Sequence, residues 1–193
     1  VSEAAAVQKR APLPSPRIEG LLLVPLSHQP VLWLAGYFFP PLSHDVAAIL
    51  DVAGRWIGGE RLYVDVIDEN LPLTFILHAI PVLTAKLLPG DVTFWFTAWV
   101  VAGIAASFIA CQKLVRQIPS ADHALTEGLL PPVLLFLFTV LPNEHFGQRE
   151  HLMFVACAPY LLASMARSEG VTLPFGSAIA IGDGEDHIPR AGC

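Results

Sequence analysis

Two short stretches hold most of the side chains in this sequence that could do chemistry. The first is YVDVIDENLPLTF, residues 63 to 75, where Asp65, Asp68, Glu69 and Asn70 stand directly before an almost wholly apolar run. The second is EHFGQREHL, residues 144 to 152, which sets Arg149 and Glu150 between two histidines. A further carboxylate, Asp45 in SHDVAAIL, opens a helix-like pattern upstream. A carboxylate can take the proton of an attacking hydroxyl, and a guanidinium fork can hold the oxygens of a departing phosphate. Arg149 beside Glu150 could therefore clamp a phosphate, and a carboxylate such as Asp45 could serve as a base. Each also has an ordinary alternative. Asp45 could cap a helix, the acids at 65 to 69 could be a solvated loop, and Arg149 could simply pair with Glu150 on the surface.

Other chemistries find less support. Glu144, His145, Glu150 and His151 carry metal-binding groups, but the two histidines are six apart and do not share a helix face. No metal site and no cofactor are expected; a divalent ion is compatible with the reaction but not indicated by any ligand set. The chain contains no GxxxxGK[ST], GxGxxG or GxSxG motif, so nucleotide and serine-hydrolase chemistry have no foothold. Cys111, Cys157 and Cys193 are widely spaced and odd in number, which implies neither a disulfide framework nor zinc. A formal charge of −6 offers no basic patch for phosphate backbones, so nucleic acid is dropped as a partner.

The elements that must position these residues are those of a membrane protein. Of 193 residues 54% are hydrophobic and only 15% charged, with a mean hydropathy of +0.57, against about 25% charged in an ordinary soluble domain. Residues 92 to 111, VTFWFTAWVVAGIAASFIAC, contain no charge and are long enough to cross a hydrocarbon core of ~30 Å. Residues 20 to 39, 124 to 141 and 151 to 166 are further candidate spans, the second of them interrupted by Pro131-Pro132. Residues 71 to 88 carry Pro72, His78, Pro81 and Lys86 and read either as a fifth span or, by preference, as an interfacial helix. His28 and His78 are read as packed or hydrogen-bonded among helices rather than as proton relays.

With 71 to 88 not crossing, Lys9, Arg10, Arg17, Lys113, Arg116 and Arg167 fall inside, and Arg55, Arg61, Lys86 and Arg149 outside. Positive charge concentrates on the cytoplasmic side. The expected topology therefore puts the N-terminus inside, 42 to 91 outside, 112 to 122 inside and 142 to 150 outside. The first outside loop begins with an amphipathic helix on the membrane surface, with Val46, Ile49, Leu50, Ala53 and Ile57 at helical spacing and Gly58-Gly59 ending it. The fold class is all-α: a polytopic bundle of about four spans with this helix in its first periplasmic loop.

In order, these features resemble a known family. SHDVAAIL follows the first span, then come GGERLYVDVIDENLPLTF, an interfacial run, a clean span and FGQREHLMF. The series is similar to the N-terminal part of the polytopic GT-C glycosyltransferases, particularly family 39 and the aminoarabinose-transferase-like enzymes, whose pattern is G-x-x-x-Y-x-D followed by N-P-P-L. Gly59, Tyr63 and Asp65 match it, while Asn70-Leu71-Pro72-Leu73 replaces the double proline by Leu-Pro. The likeness covers roughly residues 20 to 182. It implies a transferase of the bacterial inner membrane that takes its sugar from a polyprenyl-phosphate donor and opens to the periplasm, with membrane lipids as its surroundings. Asp45 matches the position of the catalytic carboxylate, although Val46 stands where the family pattern often has a second acid. Asp65, Asp68, Glu69, Asn70, Arg149 and Glu150 would bind substrate.

Family members have more spans than this. Residues 1 to 19 read as a cytoplasmic tail and 20 to 182 as the transferase-like region. The run VTLPFGSAIAIG gives way to the polar DGEDHIPRAGC, so 183 to 193 read as a non-native or disordered tail and the chain as a truncated or frame-shifted fragment. The competing reading is a small non-catalytic multi-pass membrane protein: a subunit, a scaffold or part of a transporter. Dense carboxylates on one loop favour the enzyme; the missing helices favour the rival.

Overall fold

The computed structural model describes residues 28–39, 42–119 and 121–173. The two tails, the first part of the 20 to 39 span and the run up to Gly182 lie outside the described residues. Within them every regular element is helical, as expected, and a lone bridge joins Leu62 to Val66. The order is α1 over residues 28–36, α2 His44–Ile57, α3 Pro72–Leu87, α4 Val92–Val115, α5 His123–Gly128, α6 Leu130–Thr139, a 3-10 turn Asn143–His145, and α7 Arg149–Ser168.

The expected amphipathic helix is α2, and Gly58 with Gly59 ends it; Gly59 has φ +105°, a conformation that favours glycine. Its cap is Ser43, whose hydroxyl accepts from Val46 N–H. The capping alternative for Asp45 is thereby corrected: Asp45 lies inside the first turn, with its carboxylate free of that duty. Its place there suits the positive end of the helix dipole. The apolar face of α2 is also covered differently from expectation. Val46, Leu50 and Ala53 cluster with Val82 of α3 and Phe96 and Val100 of α4, while Ile49 and Val52 meet Phe75. Protein, rather than the bilayer surface, buries this stripe, at ~1.5–3 kcal/mol per large side chain.

A tight turn joins α3 to α4. Gly90 has φ +120°, Asp91 caps α4 by accepting from Phe94 N–H at 2.7 Å, and the Trp95 indole N–H donates to Pro89 O at 3.2 Å. At 24 residues α4 is, among the described residues, the one helix long and apolar enough to cross a membrane. The other candidate spans differ in kind. Pro131 and Pro132 lack the N–H groups that would bond Glu127 and Gly128, so the stretch 124 to 141 divides into α5 and the ten-residue α6. The stretch 151 to 166 lies in α7, which has the length but is bounded by Arg149-Glu150 and Arg167.

α4 and α7 pack side by side and parallel: Gly147 lies against Phe96, Val155 against Ser107, and Ala166 clusters with Val115. The middle contact has a specific cause. Pro159 sits inside α7 and has no N–H to give the carbonyl four residues before it, which is Val155. Ser107 on α4 donates to that carbonyl at 2.6 Å, in a buried site. The sequence defect in one helix is thus repaired by a hydroxyl on the other.

Ser107→Ala should therefore destabilise the protein by about 1–2 kcal/mol, because a buried carbonyl loses its partner. In a Pro159→Ala background α7 supplies its own N–H, so the same substitution should cost much less. Denaturation of the detergent-solubilised single and double variants measures both. An equal cost in the two backgrounds contradicts the repair.

Candidate functional site

The residues singled out in the sequence sit on three segments: the first turn of α2, the loop from Gly58 to Leu71, and the entry to α7. The loop is held from within. Arg61 grips Asp65 through its backbone N–H at 2.9 Å, its Nε at 3.0 Å and an Nη at 3.1 Å. That guanidinium keeps the Asp65 carboxyl below its ordinary pKa. Asp68 Oδ1 accepts from both the backbone N–H and the side-chain amide of Asn70, each at 2.8 Å. Tyr63 has φ +65°, unusual for an aromatic residue. Its hydroxyl donates to Asn70 O at 2.5 Å and its N–H to Val66 O at 2.7 Å, which hold it there. Asp65 and Asp68 thus order the loop, and what they aim is Asn70.

The entry to α7 is fixed by Gly147 and His151. Gly147 has φ +78°, and a Cβ there would stand 2.5 Å from the Phe96 ring. Its N–H donates to His151 Nδ1 at 2.9 Å, so the imidazole proton is on Nε2, which donates to Phe138 O at 2.9 Å. The ring thereby ties the end of α6 to the start of α7. Both nitrogens of His151 are committed, and no group of three or more His, Cys, Asp or Glu that could hold a metal exists among the described residues. His145, in the 3-10 turn, instead donates from Nδ1 to Gln148 Oε1 at 3.0 Å. His78 is buried in α3, donates to Thr74 O at 2.8 Å and stacks on Phe96, in keeping with a packing role. His28 stands exposed at the start of α1.

From these two anchors the segments meet. Arg149 Nη1 donates to Asn70 Oδ1 at 2.6 Å, across 79 positions of sequence. Gln148 Nε2 donates to Asp45 Oδ2 at 3.3 Å, across 103 positions, and to Ser43 Oγ at 3.4 Å. Arg149 Nε also donates to Glu150 at 2.6 Å, the simple pair anticipated as its alternative role. Glu150, whose carboxyl this contact holds below its ordinary pKa, is the main stabiliser of the guanidinium charge; Glu69 and Asp45 add to it through space. Asp45, Glu69, Asn70, Arg149 and Glu150 therefore share one surface, and Asp65 and Asp68 lie behind it. The regions expected on one side of the membrane, 42 to 91 and 142 to 150, are in contact.

The cluster is open: the Asp45 side chain is 72% exposed and those of Arg149 and Glu150 about 60%. It presents a carboxylate with a carboxamide beside it and a guanidinium within the same field. A cleft of about 380 Å³ borders it, with Leu137, Leu141 and Phe154 as apolar walls and Gln148 and Glu150 at its polar edge. Ser43 and Gln148 were not anticipated as site residues. Gln148 stood inside the quoted FGQREHL motif, but only the fold brings it to Asp45. Compared with known proteins, the chain matches no family model, no curated protein and no solved structure.

Two outcomes follow from this geometry. Gly147→Ala should destabilise by about 2–4 kcal/mol, since a left-handed conformation and a collision with Phe96 add together; thermal unfolding measures it. The loop should also loosen in acid. The lowered pKa of Asp65 contributes stability above ~pH 4, and this is lost as pH falls through the folded-state value. Hydrogen exchange of residues 61 to 66, corrected for intrinsic rates, should rise over that interval and be already raised at neutral pH in Asp65→Asn.

Proposed function

We propose that the chain is part of a bacterial inner-membrane glycosyltransferase that opens to the periplasm and uses a polyprenyl-phosphate sugar. The observation that carries the reading is the convergence of Asp45 and Arg149 on one surface, linked through Gln148 and Asn70. α4 adds to it. Only 33% of its most apolar window is buried against protein, so most of its apolar surface is left for lipid, unlike the core helix of a soluble domain. Around α4, the 20 to 39, 124 to 141 and 151 to 166 stretches complete a bundle of about four spans, and α3 lies at the interface.

In this reading Asp45 Oδ accepts the proton of the acceptor hydroxyl as its oxygen attacks the anomeric carbon. The bond to the phosphate breaks with its electron pair going to the phosphate oxygen, and Arg149 stabilises the charge that develops there. Asn70 holds the guanidinium fork in place, while Glu150 and Glu69 set the charge around it. Asp65 and Asp68 order the loop that carries Asn70. The apolar cleft beside Glu150 gives the lipid chain of the donor a path to the site. No metal or cofactor enters the scheme.

Asp45→Asn keeps the shape and removes the base, and Ser43 still caps α2. Transfer should fall by about 10²–10⁴-fold with unchanged membrane abundance. Arg149→Lys should raise the donor concentration needed for half-maximal rate, and Arg149→Ala should raise it further, because Lys keeps charge but not the fork. Rates are measured in lipid vesicles with a polyprenyl-phosphate sugar and mixed acceptors. Near-normal transfer in Asp45→Asn, or an unchanged donor dependence in Arg149→Ala, would sink the respective assignment.

A further inference from the structure

A cavity of about 460 Å³ lies between the end of α1, the start of α2 and the 3-10 turn, and none of the residues given a role above in catalysis or donor binding lines it. Its size is in the ~300–1,000 Å³ range of small-molecule sites. Two kinds of side chain line it. Trp33, Tyr37 and Phe146 make an aromatic wall, and Ser43, Asn143 and Glu144 make a hydrogen-bonding rim.

The wall is rigid where it is deepest. Tyr37 stacks on Phe146 with centroids 3.7 Å apart and planes 12° from parallel, its hydroxyl donates to Thr139 O at 2.9 Å, and Thr97 donates to Tyr37 O at 3.2 Å. Trp33 stands 6.1 Å from Tyr37, tilted by 42° and 38% exposed, so the indole still presents surface.

The lining selects a ligand class. Among the described residues it contains no Lys or Arg and one carboxylate, so an anion would be repelled. A wholly apolar ligand would strip water from Glu144 and Asn143 without replacing it. A saturated ring with an apolar C–H face and a rim of hydroxyls satisfies both surfaces. The C–H face lies on the indole, the hydroxyls donate to Glu144, and the Asn143 amide both donates and accepts.

We infer that this cavity is a carbohydrate subsite, which takes one neutral sugar ring stacked on Trp33 with its hydroxyls on Glu144 and Asn143. Its assignment to the acceptor rests on the transferase reading. Ser43 lines the cavity, and the Gln148 amide that donates to Ser43 also donates to Asp45, so a hydroxyl at this rim is next to the carboxylate that would deprotonate it.

The test is saturation-transfer difference NMR on the full chain in lipid nanodiscs, with methyl glycosides of glucose, galactose, mannose and arabinose as probes. The expected result is saturable transfer concentrated on one C–H face of at least one glycoside. Affinity should drop ten-fold or more in Trp33→Leu and in Glu144→Gln. Glucuronate, with the same ring and an added negative charge, should bind at least ten-fold more weakly than the glucoside. Glu144 is 78% exposed on its side chain, so Glu144→Gln tests the idea even where Trp33→Leu fails to fold. Absence of saturable transfer from all four glycosides, or affinity unchanged in Glu144→Gln, overturns the subsite. Absent binding with Asp45-dependent transfer intact overturns the subsite alone; saturable binding that Glu144→Gln weakens supports the subsite whether or not the chain transfers sugar.

Discussion

Gly147 rests against Phe96 where no side chain could stand, and the relation of the two halves of the site follows from that closeness. The approach lets the 3-10 turn drop onto the start of α4. His151 then bridges the Gly147 amide and the Phe138 carbonyl, so the end of α6 and the start of α7 have one fixed relation. Gln148 and Arg149, the next two residues, emerge level with Ser43, Asp45 and Asn70. A single Cβ at position 147 would push the segment outward by more than a hydrogen bond tolerates.

Further along the helices, several polar groups find partners within the chain, although His78 Nε2 and Gln112 Nε2 are buried without one. Ser107 answers the carbonyl released by Pro159, the Thr139 hydroxyl bonds Leu135 O, the Thr84 hydroxyl bonds Ile80 O, and Tyr37 reaches Thr139 O. Several proline breaks are placed where they cost least: Pro72 in a first turn, Pro131-Pro132 between α5 and α6, and Pro159 opposite the Ser107 hydroxyl, while Pro81 lies within α3.

The site end is built by the opposite rule. Its charges are exposed and paired with their neighbours, Arg61 with Asp65, Arg55 with Glu60, and Arg149 with Glu150. Exposed pairs add little to stability, so their effect is to set direction: Arg61 orders the loop through Asp65, and Arg149 points its second arm at Asn70. Two openings flank this cluster, an apolar cleft beside Glu150 and an aromatic cavity beside Ser43. Gln148 lines the first and donates to a residue that lines the second.

Period and punctuation in the sequence determined a good deal. The 3.6-residue spacing of Val46, Ile49, Leu50 and Ala53 with Gly58-Gly59 behind it gave α2, because local backbone preference and an apolar stripe agree there. The unbroken run from Val92 gave α4 for the same reason, and the two acidic and basic stretches were visible as candidates by composition alone. Spacing could not decide who caps α2, since Ser43 and Asp45 are both good caps and only backbone position separates them. It could not show that Pro131-Pro132 divides one apolar run into α5 and α6, or that Ser107 compensates Pro159, because that partner is 48 positions away. Above all it could not join Asp45 to Gln148 or Asn70 to Arg149. Those contacts span 103 and 79 positions, and they exist because a glycine lets the turn before α7 close on Phe96, which is a fact of packing in three dimensions rather than of neighbours in the chain.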